Sequence, residues 1–289
     1  MTNNFKIITG VKGYVGSEFK NYLEKKNIRV IGIDKKKLPK ENKNAYYNLD
    51  LKNKKKINKF LKKKSLSTIY HFGTHSALAY KHNFEQSFTE DWLSLSNLIS
   101  SLNKNTRLVY LSSSYVYSGI GNKIGCENSL LDPVHNFGFA KKFFEDYILK
   151  LHSNSVIFRL SSVFGFGKAL HPNAIYNLIK ECKDNRLICI WGKGNRKMQY
   201  IYMEDVLYYL FKAEKIKPGI YNLAGNEYLK LSFVGKKIST FFKSKIIFDK
   251  EKKEEETLCY MDNTKLKKAA GDLITPFSKS FSTYLNRLN

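Results

Sequence analysis

Arginine, cysteine and long apolar runs are all scarce in this sequence, and each shortage excludes something. Of 50 basic residues only 6 are arginine, so 44 lysines face 25 acidic residues and the formal charge is +25. Arginine's planar fork reads phosphates and base edges bidentately, whereas lysine is a hydrated point charge. The charge therefore reads as a solvated lysine coat, and a nucleic-acid partner is not expected. The 4 cysteines stand at 126, 182, 189 and 259, with no C-x-x-C pair and no histidine at a zinc-ligand interval. Neither a disulfide framework nor a metal site is expected; the cysteines read as reduced core thiols of a cytoplasmic protein. No apolar stretch approaches the ~18 residues of a membrane span, and no hydrophobic leader precedes the strand-like run at the start, so no membrane partner is expected either.

What is present is enough to build a core. The 289 residues are 43% hydrophobic and 14% aromatic, which suits one large or two intimately joined domains. No repeat and no low-complexity linker interrupts them. The first half alternates short β-rich runs (5–9, 28–33, 45–49, 68–72, 107–111, 155–160) with helical patterns (13–26, 84–102, 136–151). That alternation marks a doubly wound α/β fold, a parallel sheet covered by helices on both faces. The basic run 52–64 reads as an exposed helix face broken by Ile57, Phe60 and Leu61. From 164 onward the pieces shorten, predicting a smaller lobe over 164–289 that returns at least once to a sheet built mainly from 1–163. Residues 250–256 read as a solvated charged loop.

Between the first strand and the first helix lies Thr9-Gly10-Val11-Lys12-Gly13-Tyr14-Val15-Gly16, a G-x-x-G-x-x-G loop. Gly10 allows a tight turn, Gly13 lets a pyrophosphate approach the backbone, and Gly16 lets the helix pack on the sheet. The helix N-terminus adds free N–H donors. Asp34 lies 18 residues past Gly16, at the end of the second strand. A carboxylate there can hold the ribose hydroxyls of a bound dinucleotide and repel a 2′-phosphate, favouring NAD over NADP, although Lys35 and Lys36 follow it directly.

With these residues the sequence resembles the extended short-chain dehydrogenase/reductase family, the NAD-dependent epimerase/dehydratase group that modifies nucleotide sugars. The resemblance runs along almost the whole chain. It rests on the T-G-x-x-G-x-x-G loop with Tyr14 and Val15 between its glycines, on Asp50-Leu51 as an adenine-contacting pair, and on His71-Phe72-Gly73-Thr74 as a cofactor-lining segment. It continues with Ser112-Ser113-Ser114-Tyr115-Val116-Tyr117, Arg159-Leu160-Ser161-Ser162-Val163-Phe164-Gly165, Tyr200-Ile201-Tyr202-Met203-Glu204-Asp205-Val206, and Asp262 to Gly271. It implies a Rossmann sheet with a C-terminal substrate lobe, NAD as cofactor, a nucleotide-sugar substrate, and room for a homodimer.

The family works through a Tyr-x-x-x-Lys pair with a Ser or Thr from the fifth strand. Spacing by four puts both side chains on one helix face, and the lysine lowers the tyrosine pKa so that it can exchange a proton with the sugar. Here the resemblance places Ser113 at the serine and Lys141 at the lysine, while the tyrosine position holds Phe137. Three readings stay open: a step weakened or engineered away; a surrogate group, Tyr115 before His135; or a binding protein without turnover. Ser114, Ser162 and Arg196 are the expected substrate contacts, with Met198 where many members carry an arginine. Ser114 and Tyr115 stand where the dehydratases carry an Asp-Glu pair, which argues against 4,6-dehydration and leaves an epimerase or a 4-keto reductase.

Overall fold

The computed structural model describes residues 5–36, 45–62, 65–167 and 173–288. In chain order its first half holds β1 (Phe5–Thr9), α1 (Tyr14–Lys25), β2 (Val30–Asp34), β3 (Tyr46–Asn48), α2 (Lys54–Leu61), β4 (Leu66–His71), α3 (Ala77–His82), α4 (Phe84–Ser101), β5 (Arg107–Ser113), α5 (Asn136–Leu151) and β6 (Ser155–Leu160). The second half holds β7 (Ser162–Phe164), α6 (Ala174–Asn185), β8 (Leu187–Trp191), β9 (Lys197–Tyr202), α7 (Met203–Lys212), β10 (Gly219–Leu223), β11 (Tyr228–Lys230), α8 (Leu231–Phe242), β12 (Lys245–Asp249), α9 (Thr264–Ala270) and α10 (Phe277–Asn286).

Seven strands form one parallel sheet in the order β10-β6-β5-β4-β1-β2-β3. Their apolar residues are buried on both faces, as a helix-covered parallel sheet requires. Ile8, Tyr70, Val109 and Phe158 pack beneath α1 and α7; Ile7, Ile69, Tyr110 and Ile157 pack beneath α2, α4 and α5. This is the doubly wound Rossmann arrangement. The order reverses between β1 and β4, which opens a crevice at the carboxyl ends of the strands, where such sheets bind ligands.

The later chain builds a three-stranded sheet, β11-β9-β7, and a two-stranded one, β12-β8. Phe164, Ile179, Ile190, Tyr202, Val234 and Phe281 share a separate core there. It also returns to the main sheet, where α7 lies on α1 and β10 pairs with β6.

Several expectations shift. The second strand starts at Val30 because Asn27 adopts a left-handed turn (φ 57°) and the Ile28 N–H folds back onto the Leu23 carbonyl. β5 runs on to Ser113, since Ser112 and Ser113 keep pairing with Arg159 and Leu160. Asn53 caps α2 by accepting from the Lys56 N–H, which leaves Lys52 outside the helix; Lys63 and Lys64 of the basic run lie outside the described residues. The loop at 250–256 is solvated, exposed everywhere but at Glu254, which ties it down by accepting from the backbone N–H groups of Lys193 (2.8 Å) and Arg196 (2.6 Å). Only Cys182 and Cys259 are core thiols; Cys126 and Cys189 are half-buried, and all four are free. No described helix is long and apolar enough to cross a membrane.

Candidate functional site

The β1–α1 loop is held by contacts that leave no space for a side chain at Gly10 or Gly16. Gly10 has φ +67°, and a Cβ on it would stand 2.6 Å from the Gly73 backbone. The ends of β1 and β4 therefore touch through two glycines. A Cβ on Gly16 would meet the Gly10 carbonyl oxygen at 2.3 Å. Gly16 thus serves the close turn of α1 against its own loop, not packing on the sheet as the spacing suggested. Gly13 is the N-cap of α1 and has no side chain to block the helix's first N–H donors. Below the loop, Thr9 Oγ1 is 2.7 Å from His71 Nδ1.

This loop forms the floor of a cavity of about 620 Å³ that runs along the crevice. Its wall includes Gly10, Gly13, Tyr14, Val15, Gly16, Asp34, Asp50, Leu51, Phe72, Gly73, Ser113, Phe137 and Lys141. All the residues expected to hold or line the cofactor except His71, which is fully buried, are therefore in one place, although they come from five separate segments. Asp34 is fixed by backbone donors, Lys12 N–H to Oδ2 (3.0 Å) and Lys36 N–H to Oδ1 (3.1 Å). Asp50 accepts from the Lys52 N–H at 2.9 Å. Tyr14 also donates to the Gly165 carbonyl at 3.2 Å, tying α1 to the lobe.

At the other end, Lys141 is 2% exposed, and burial lowers its pKa to about 8. Its ammonium donates to Leu111 O (2.9 Å), Tyr110 OH (3.0 Å) and Thr74 Oγ1 (3.1 Å). It stands 5.4 Å from the centre of the Phe137 ring. The Ser113 hydroxyl accepts from the Tyr115 N–H at 3.3 Å. Ser112 Oγ and Ser161 Oγ are buried without a partner among the described residues, and both residues line the cavity. Donors left open beside a glycine cradle suit an elongated polar ligand with phosphates at one end, so the residues present fit a dinucleotide.

Tyr115, Ser114, Ser162 and Arg196 are not on that wall. Ser114, Ser162 and Arg196 line a separate niche of about 30 Å³, with Ser161 shared between the two. Arg196 is paired with Glu255 and donates to the Glu256 carbonyl. Ser162 Oγ accepts from Asn173 Nδ2 at 3.0 Å. The Tyr115 ring meets Phe137 edge-on at 5.9 Å and His135 at 5.3 Å; burial raises its phenol pKa, against a smaller pull from Arg196.

Thr74, of the expected cofactor-lining segment, belongs to this neighbourhood, and so do His75, Glu90, Asp91 and Tyr110, which the sequence did not single out. Asp91 is 3% exposed and accepts from Tyr80 OH (3.0 Å), from the His75 N–H and from the His75 ring at 2.7 Å. The acids of α4 gave no signal, because their partners lie in other segments.

The model of the NAD dependent epimerase/dehydratase family matches residues 6–224. A curated relative, the dTDP-D-glucose 4,6-dehydratase of Dictyostelium discoideum, is 23% identical over 233 residues, which is 70% of this chain and 53% of that protein. The chain thus spans about half the length of that relative. Among solved structures, the UDP-glucose 4-epimerase of Thermotoga maritima with UDP-glucose superposes with a TM-score of 0.83 at 16% identity, covering 98% of both chains. The dTDP-glucose 4,6-dehydratase of Bacillus anthracis in complex with NAD superposes at 0.82 and 16% identity, covering 98% of this chain and 96% of that one.

Proposed function

Because the chain belongs to the NAD-dependent epimerase/dehydratase family, we propose that it is a nucleotide-sugar enzyme, an epimerase or 4-keto reductase working with NAD(H), whose proton-relay position is filled by Phe137. The observation that carries this reading is the single cavity that gathers the glycine loop and Asp34 at one end and Ser113, Phe137 and Lys141 at the other. Gly10, Gly13, Tyr14, Val15 and Gly16 would hold the pyrophosphate, Asp34 the adenosine ribose, and Asp50 and Leu51 the adenine. Phe72 and Gly73 would line the middle, and Lys141 the nicotinamide end. The nicotinamide, when bound, supplies a hydride acceptor or donor.

Ser113 donates its hydroxyl to the reacting sugar oxygen. Lys141, with a pKa of about 8, still carries its charge near neutrality and favours negative charge developing beside it. Phe137 has no proton to give or take, so the acid–base contribution, typically about 10²–10⁴-fold, is lost while binding is kept. Tyr115, edge-on to Phe137 at 5.9 Å, is the proposed surrogate. Its raised pKa keeps it protonated, so it suits giving a proton better than taking one. Ser114, Ser162 and Arg196 would meet the sugar nucleotide. Residues 1–163 then serve mainly the cofactor and 164–289 mainly the substrate. The protein acts in the cytoplasm as a homodimer.

One observation favours a second reading, a binding protein on the same fold. All three ammonium donors of Lys141 are already engaged by Thr74, Tyr110 and Leu111, an arrangement suited to a structural lysine. Installing tyrosine separates the two. Phe137→Tyr, assayed for NAD(H) turnover with UDP- and dTDP-sugars, is expected to gain about 10²–10⁴-fold. No gain with any of them, in a protein that binds NAD, would favour the Tyr115 surrogate where the wild type itself turns over and the binding reading where it does not.

A further inference from the structure

Glu90, on α4, joins two lysines from the segments that follow β2 and β3. Its Oε2 accepts from Lys35 Nζ at 3.0 Å and its Oε1 pairs with Lys52 Nζ at 3.2 Å; His75 Nε2 stands 3.7 Å away. Lys35 directly follows Asp34 at the end of β2, and Lys52 directly follows Leu51. All of these residues line the large cavity at its Asp34 end. The carboxyl of Glu90 is held down at about 2, chiefly by the hydrogen bond from Lys35, so it is charged at any working pH.

Ion pairs as exposed as these add little to stability, and the sheet already fixes β2 and β3, after which the two lysines come. What the arrangement does fix is the destination of the lysine charges. Lys12, Lys35, Lys36 and Lys52 all line this end of the cavity. A 2′-phosphate on an adenosine ribose held at Asp34 would need a cation beside it, and Lys35 is next to Asp34 in the chain. Glu90 claims that cation and Lys52 together.

We propose that Glu90 sets cofactor selectivity at the ribose 2′ position, by withholding Lys35 and Lys52 from a 2′-phosphate and by adding its own negative charge to that of Asp34. The inference rests on the dinucleotide reading of the cavity and extends it to a residue outside the loop and strand that carry that reading.

The experiment measures dissociation constants for NAD⁺ and NADP⁺ by calorimetry on the full chain, so no turnover is needed. In Glu90→Gln, which keeps size and polarity, the ratio of the NADP⁺ constant to the NAD⁺ constant should fall about tenfold at low salt and less near 1 M salt, where charge interactions are screened. Adding Lys35→Met to Glu90→Gln should return the ratio toward that of the wild type. A ratio unmoved by Glu90→Gln overturns the proposal, as does a gain that survives loss of Lys35, or a wild type that prefers NADP⁺. If the wild type binds neither dinucleotide, the reading of the cavity falls and this inference with it. NAD⁺ binding with a fixed ratio sinks the inference alone.

Discussion

At position 71 an imidazole is fully enclosed, 0% exposed, with Nδ1 against Thr9 Oγ1 and Nε2 without a partner among the described residues. Burial lowers its pKa from 6.5 to about 4. The unfolded chain therefore takes up this proton first. The stabilising contribution is complete above pH 6.5 and is lost as the pH falls through 4, amounting to about 3 kcal/mol. His71→Gln should flatten the fall of urea midpoints between pH 7 and pH 4; an unchanged slope would place the acid sensitivity on other groups. Phe137 is the complementary case. It is a residue without charge, whose consequence would be chemical, and the Phe137→Tyr assay measures it.

The element that concentrates the site is α5. Phe137, Lys141 and Glu145 recur every four residues and so share a face. The last of them anchors the helix, because Glu145 receives Arg159 of β6 through Nη2 at 2.7 Å and Nε at 3.1 Å, with the two side chains 1% and 3% exposed. Arg159 Nη1 also donates to Tyr117 OH at 2.7 Å, and that hydroxyl donates to Asn222 Oδ1 of β10 at 2.8 Å. Removing one partner strands a buried charge, so Glu145→Ala should lower unfolding stability by ~3–5 kcal/mol in chemical denaturation, whereas Glu145→Leu combined with Arg159→Met should cost less. Equal losses would show that packing of α5, not the ion pair, sets the stability.

On the scale of the molecule, two surfaces contrast. The lysine coat is spread over the outside, where it pairs with exposed acids such as Asp146 and Asp272. Against it, α4 and α5 present an aromatic seam: Phe88 and Trp92 meet Phe143 at 5.4 and 5.2 Å, with Phe139 and Phe143 52% and 38% exposed and Leu93 40% exposed. An apolar seam beside a charged coat favours self-association. It is the face on which the proposed homodimer would form. Sedimentation should give a dimer at micromolar concentration, and Phe139→Lys with Phe143→Glu should give a monomer. A monomeric wild type would remove the dimer from the proposal.

The sequence by itself determined the alternation of strands and helices, the glycine loop and the acid at the end of β2. Those features are set by local rules, namely side-chain periodicity, backbone freedom at glycine and chain distance along one β-α-β unit. It also carried the family resemblance, because those motifs follow one another in order. Only the tertiary structure decided how the remaining charges were spent. Arg196 goes to Glu255, Lys141 to two oxygens of β5 and one of the segment after β4, and Lys35 with Lys52 to an acid on α4. Each of these contacts spans tens of residues in sequence. A charged side chain takes whichever partner folding brings within hydrogen-bond reach, and no spacing along the chain encodes that.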